Sequence, residues 1–99
     1  MVNPEVMEKL ETWKENFLKY INSIKSKDSI MFDKYTEMNT MELLDEFNKQ
    51  RHMIESNKVM FICLFCTDLG IDMNSDETIY STLSQYIDLF CKVTEIMYK

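Results

Sequence analysis

Apolar residues at Val6, Leu10, Trp13, Phe17, Tyr20, Ile21 and Ile24 recur at steps of three or four, the spacing that gathers them on one face of an α-helix. The start signals agree with the period. Asn3 can cap, Pro4 suits the first helical position because its missing N–H would be unpaired there, and Glu5 complements the helix dipole. These features predict a helix over residues 4–26. Asp28 and Ser29 read as the next cap, ahead of a short helical segment carrying Ile30, Met31, Tyr35 and Met38. Asn39 and Glu42 stand in a capping-box relation, and Met41, Leu44, Phe47, Arg51 and Ile54 carry a helical period through residues 40–55.

The stretch KVMFICLFCTDLG, residues 58–70, has no polar face, so its period does not separate a buried helix from a buried strand. Its ending does. Gly70 is the only glycine and falls between Leu69 and Ile71, as a left-handed helix C-cap with a hydrophobic residue folding back requires. A lone strand would find no partner elsewhere in the chain. Asn74 and Glu77 offer a second capping box, followed by a stripe of Ile79, Leu83, Tyr86, Ile87, Phe90, Val93 and Met97, which predicts a helix over 75–97. The expected fold is all-α: one domain over residues 1–99, a compact antiparallel bundle of four helices with one short helix added.

Composition supports a packed core, since 45% of the residues are hydrophobic. Alanine is absent, and glycine, proline and arginine occur once each, a bias expected of an AT-rich genome such as that of a virus or mobile element. A single glycine excludes a glycine-rich phosphate loop or dinucleotide turn. The net charge is −6, and residues 28–99 carry thirteen acids against six bases. Phosphate backbones require clustered Lys and Arg, so direct nucleic-acid binding is not expected. An acidic chain can instead occupy a basic groove on another protein, which leaves nucleic-acid mimicry open. The longest apolar run, Val59 to Cys66, is eight residues against about 20 for a membrane span. No secretory signal is visible, and three cysteines do not all pair within one chain, which together point to a soluble, intracellular (cytoplasmic or nuclear) protein.

Cys63 and Cys66 are the first candidates for chemistry. Three residues apart on a helix, they are expected to share a face, and thiolates at that spacing can grip a metal or exchange with a disulfide. A structural zinc site needs four ligands, which only Cys91 and His52 could complete, and a second clustered ligand pair is missing. For redox work the neighbours are wrong: Phe61, Ile62, Leu64 and Phe65 would desolvate a thiolate and raise its pKa. The aromatic and histidine signature of small flavin-linked thiol oxidases is also absent around the pair. All three thiols are therefore read as small buried hydrophobes, with no metal and no cofactor expected.

Other residues read as structure. Asp72, Asn74 and Asp76 alternate as in a calcium loop, but Glu77 stands where the turn glycine belongs and Leu83 where the bidentate glutamate belongs. His52 is expected near the end of the 40–55 helix, where positive charge is favoured. Trp13 shares its stripe with Leu10 and Phe17 and is expected in the core, whereas Met38, Met41 and Met73 are expected to be exposed. The reading that remains is a non-enzymatic interaction module, an inhibitor, adaptor or assembly component that buries an acid-rimmed apolar patch against a protein partner or a second copy of itself. The competing readings are a helical zinc or thiol-redox protein built on Cys63 and Cys66, and a subunit of a larger complex.

Overall fold

In the computed structural model, which describes residues 4–97 and side chains as far as Glu95, the first apolar stripe forms α1 (Pro4–Ile24). Leu10, Trp13, Phe17 and Ile21 are buried along it. The expected cap Asn3 and the side chain of Met97 lie outside the described residues. Ser29 caps α2 (Ile30–Glu37), its hydroxyl accepting from the Phe32 N–H at 3.2 Å. The capping box of α3 (Thr40–Lys49) is formed on both sides: Glu42 N–H donates to Asn39 Oδ1 at 2.9 Å and Asn39 N–H to Glu42 Oε1 at 3.2 Å.

The helix expected over 40–55 is two helices. The helical pattern is interrupted at Gln50 (φ −103°, ψ 8°), whose N–H reaches back three residues to the Phe47 carbonyl at 3.0 Å, and α4 (Arg51–Ser56) follows. Asn57 then caps α5 (Lys58–Leu69) by accepting from Met60 N–H at 3.2 Å. Gly70 closes it as expected, with φ at 69°, Ile71 N–H bonded to the Cys66 carbonyl at 2.8 Å and Gly70 N–H to the Thr67 carbonyl at 3.2 Å. Ile71 is buried against the core, the hydrophobic fold-back that completes this motif.

The last helix, α6 (Thr78–Met97), starts three residues later than the second capping box predicts. Aspartates do the work instead. Asp72 accepts Asn74 N–H at 3.0 Å on its carboxylate and Ser75 N–H at 3.1 Å on its carbonyl, and Asp76 Oδ1 takes both the N–H and the hydroxyl of Thr78 at 2.8 Å. Those two bonds hold the Asp76 carboxyl below its usual range.

The molecule is all-α, with six helices and no strand among the described residues, one helix more than the four and one short helix expected. Ring pairs Trp13–Phe90 and Phe17–Tyr86 run in opposite senses along the chain, so α1 and α6 lie antiparallel. Phe47 sits at the centre of the core. Its ring centroid lies 5.6–6.2 Å from those of Phe90, Tyr35, Phe65 and Phe61, and 5.7–5.9 Å from Phe17 and Trp13, so one side chain of α3 touches α1, α2, α5 and α6. Trp13 is buried as its stripe predicts, and its indole N–H donates to the Tyr86 carbonyl at 2.8 Å. Across the other end, Arg51 ties α4 to α6 by donating to Thr94 Oγ1 at 2.6 Å and to the Cys91 carbonyl at 3.4 Å, while its Nε pairs with Glu55 at 2.9 Å. The α-carbon radius of gyration, 13.3 Å, matches the roughly 13 Å of a folded 100-residue domain.

Candidate interaction surface

Helix α5 has apolar residues all round, yet only one side of it is covered. Phe61, Ile62, Phe65, Cys66 and Leu69 are buried, a set that follows the helical period. On the opposite side Val59 is 57% exposed, Met60 49% and Leu64 47%, with Cys63 exposed between them. Thr67 continues this side by one more turn, and its hydroxyl donates to the Cys63 carbonyl at 2.9 Å, so the one polar side chain there is satisfied within its own helix. From Val59 to Thr67 the face runs about 12 Å along the axis. A solvated helix normally carries charged residues on such a face.

Charges stand at its margins. On one flank Leu64, Glu46 and Asp68 line a small cleft with Tyr35 at its floor. Burial, then Glu46 and Asp68, push the Tyr35 phenol up to about 12. Glu46 lies 3.9 Å from Lys49, which is 74% exposed and contributes little screening of that carboxylate. At the N-terminal end of α5 Lys58 binds Asp88 of α6 at 2.5 Å.

The cysteine pair straddles the boundary between the two sides instead of sharing the buried one. Cys66 packs in the core, and burial together with the neighbouring Cys63 pushes its thiol up to about 11. Cys63 faces solvent, a correction to its reading as core filling: an offset of three residues rotates about 60° short of a full turn, enough to carry one thiol over the edge. Cys91 is half-buried on α6, where burial outweighs the opposing Arg51 and raises its thiol. His52 lies exposed in the first turn of α4, away from the helix C-terminus expected for it, because the chain breaks at Gln50. The structure does not gather Cys63, Cys66, Cys91 and His52, and among the described residues no three His, Cys, Asp or Glu side chains come together to hold a metal. Asp76 bonds Thr78 at the start of α6, whereas Asp72 is engaged with Asn74 and Ser75 in the preceding turn and does not reach the helix.

Met60, Val59 and Leu64 are what sequence reasoning missed. The methionines expected to be exposed are divided: Met41 is, while Met38 and Met73 pack partly against the core. A second concavity, a groove of about 500 Å³ between α1 and α6, is floored by Trp13 and Val93. Both are buried core residues, and among the described residues Leu89 is the one strongly exposed apolar side chain along it. No helix among the described residues is long and apolar enough to cross a membrane. Comparison with known protein families, curated proteins and solved structures finds no match for this chain.

Proposed function

We propose that this protein is a non-enzymatic interaction module that works by burying the outer face of α5 against a protein partner. The observation that carries the reading is that a helix held rigidly by five buried residues leaves Val59, Met60, Cys63 and Leu64 in water. Single exposed apolar residues are ordinary, but a contiguous set on one secondary element marks a contact surface. Covering such a face stabilises a complex by about 25 cal/mol per Å² of apolar area removed from water, and the rigid scaffold loses little entropy on binding. Acids at the margin supply orientation and selectivity more than affinity.

The test is differential capture from cells of the natural source with the wild-type chain and Leu64→Glu, a variant at an exposed position whose folding is verified by circular dichroism. The expected result is a stoichiometric partner retained by the wild type and lost by the variant. Equal retention by both chains would place the contact elsewhere and contradict the proposal.

A further inference from the structure

The charges flanking α5 say what kind of surface covers it, an inference that rests on the interaction reading above. We infer that the occupant is a different protein presenting an apolar helix or ridge with Lys or Arg along the edge that meets Glu46 and Asp68, and is not a second copy of this chain. Area is the first constraint. The four apolar side chains supply at most a few hundred Å², whereas a standard interface buries about 800 Å² on each partner. Any stable complex must therefore include the flanks.

Symmetry is the second. In a two-fold dimer the same patch faces itself. Pairing α5 antiparallel to its copy turns the acidic Glu46–Asp68 flank toward the same flank of the copy. Pairing it in parallel aligns the two helix dipoles and leaves Asp68 about 15 Å along the axis from the partner's nearest helix cation, at the position of Lys58. That lysine is already paired with Asp88. Each arrangement also brings together two chains that carry −6 apiece. A basic-edged partner meets none of these penalties, and it gives Asp68, which has no cation within pairing distance among the described residues, a partner of its own.

Two fluorescent synthetic helical peptides test this with the full chain. They share one leucine face, and one is edged with lysine, the other with glutamate. The expected result is that the lysine-edged peptide binds about tenfold or more tightly than the glutamate-edged one, and that Glu46→Lys combined with Asp68→Lys reverses the order. Leu64→Glu, which adds negative charge, should still weaken the lysine-edged peptide about tenfold. Circular dichroism verifies that each variant is folded. Equal binding of both peptides, lost in Leu64→Glu, would overturn the charge inference and leave the α5 face intact. Binding of the lysine-edged peptide that survives Leu64→Glu would overturn it as attraction elsewhere on the surface. No peptide binding, with a dimer that Leu64→Glu dissociates, would make the occupant a second copy. No peptide binding by a chain that stays monomeric would overturn both this inference and the interaction reading.

Discussion

Ser26 packs directly over Gly70: a Cβ built on the glycine would stand 2.7 Å from the Ser26 Cβ, closer than real carbon atoms approach. The contact joins the end of α1 to the end of α5, and the Ser26 N–H donates to the Leu69 carbonyl at 3.3 Å across it. Gly70 is needed twice at this point, once for its left-handed φ of 69° and once for the space that its missing side chain leaves.

Gly70→Ala is therefore expected to cost more than the roughly 1–2 kcal/mol that a left-handed φ imposes on an L-residue. Ser26→Gly should restore part of the loss, because it removes the collision and keeps the backbone N–H. Urea unfolding of the single and double variants measures both quantities. A Gly70→Ala midpoint equal to wild type, or no gain on adding Ser26→Gly, would refute the packing argument.

Phe47 joins four helices through one ring, so Phe47→Ala should lower stability by about 3–5 kcal/mol, the cost of a large cavity in an aromatic core. Phe47→Leu should lose substantially less. A loss under about 1 kcal/mol for the alanine variant, read from the same unfolding curves, would mean that the core closes up without it.

Arg51 holds α4 to α6 through a fork that lysine does not reproduce. Arg51→Met should cost about 1.5–3 kcal/mol, in the range of hydrogen bonds made by charged groups, and Arg51→Lys should recover little of it. A double-mutant cycle with Thr94→Val is expected to show coupling of about 1 kcal/mol. Independent, additive effects would contradict the clamp.

Two buried acids make the fold sensitive to alkali. Cys66 ionises near 11 in the folded chain against 9.0 ordinarily, and Tyr35 near 12 against 10.0. The unfolded chain releases both protons at lower pH, so their contribution is complete below about pH 9 and is lost as pH rises through the folded values. Stability should therefore be level with respect to these groups from pH 7 to 9 and fall steadily above that. Cys66→Ala with Tyr35→Phe, compared at pH 8 and pH 10.5, should show a shallower fall than wild type. An unchanged slope would refute it.

The sequence makes the helices legible wherever a cap or a stripe marks them: the Asn39–Glu42 box, the Gly70 terminus, and the buried lines Leu10–Ile21 and Ile79–Val93 are read directly. The break at Gln50 is not, because the helical period passes through Phe47, Arg51 and Ile54 with no glycine or proline to interrupt it. It is the tertiary bond from Arg51 to Thr94 that rewards the turn. The start of α6 is misread for a different reason. Asn74 and Glu77 have the right spacing, but Asp72 takes the Asn74 N–H and Asp76 takes the Thr78 N–H, one residue beyond the expected box. The candidate face is hidden for a third: a helix apolar on every side carries no periodic sign of which side is covered, and only packing divides Cys66 from Cys63.

Cys63 lies in the middle of the proposed contact and reports on it without any substitution. The decisive measurement is the rate at which that thiol is alkylated in cells of the natural source, relative to the purified chain, followed residue by residue by mass spectrometry. In the purified chain Cys63 should react well ahead of Cys66, and in cells it should be protected at least several-fold, with the protection lifted by Leu64→Glu. Alkylation of Cys63 in cells as fast as in isolation would mean that nothing covers α5, and would contradict the interaction role assigned to it.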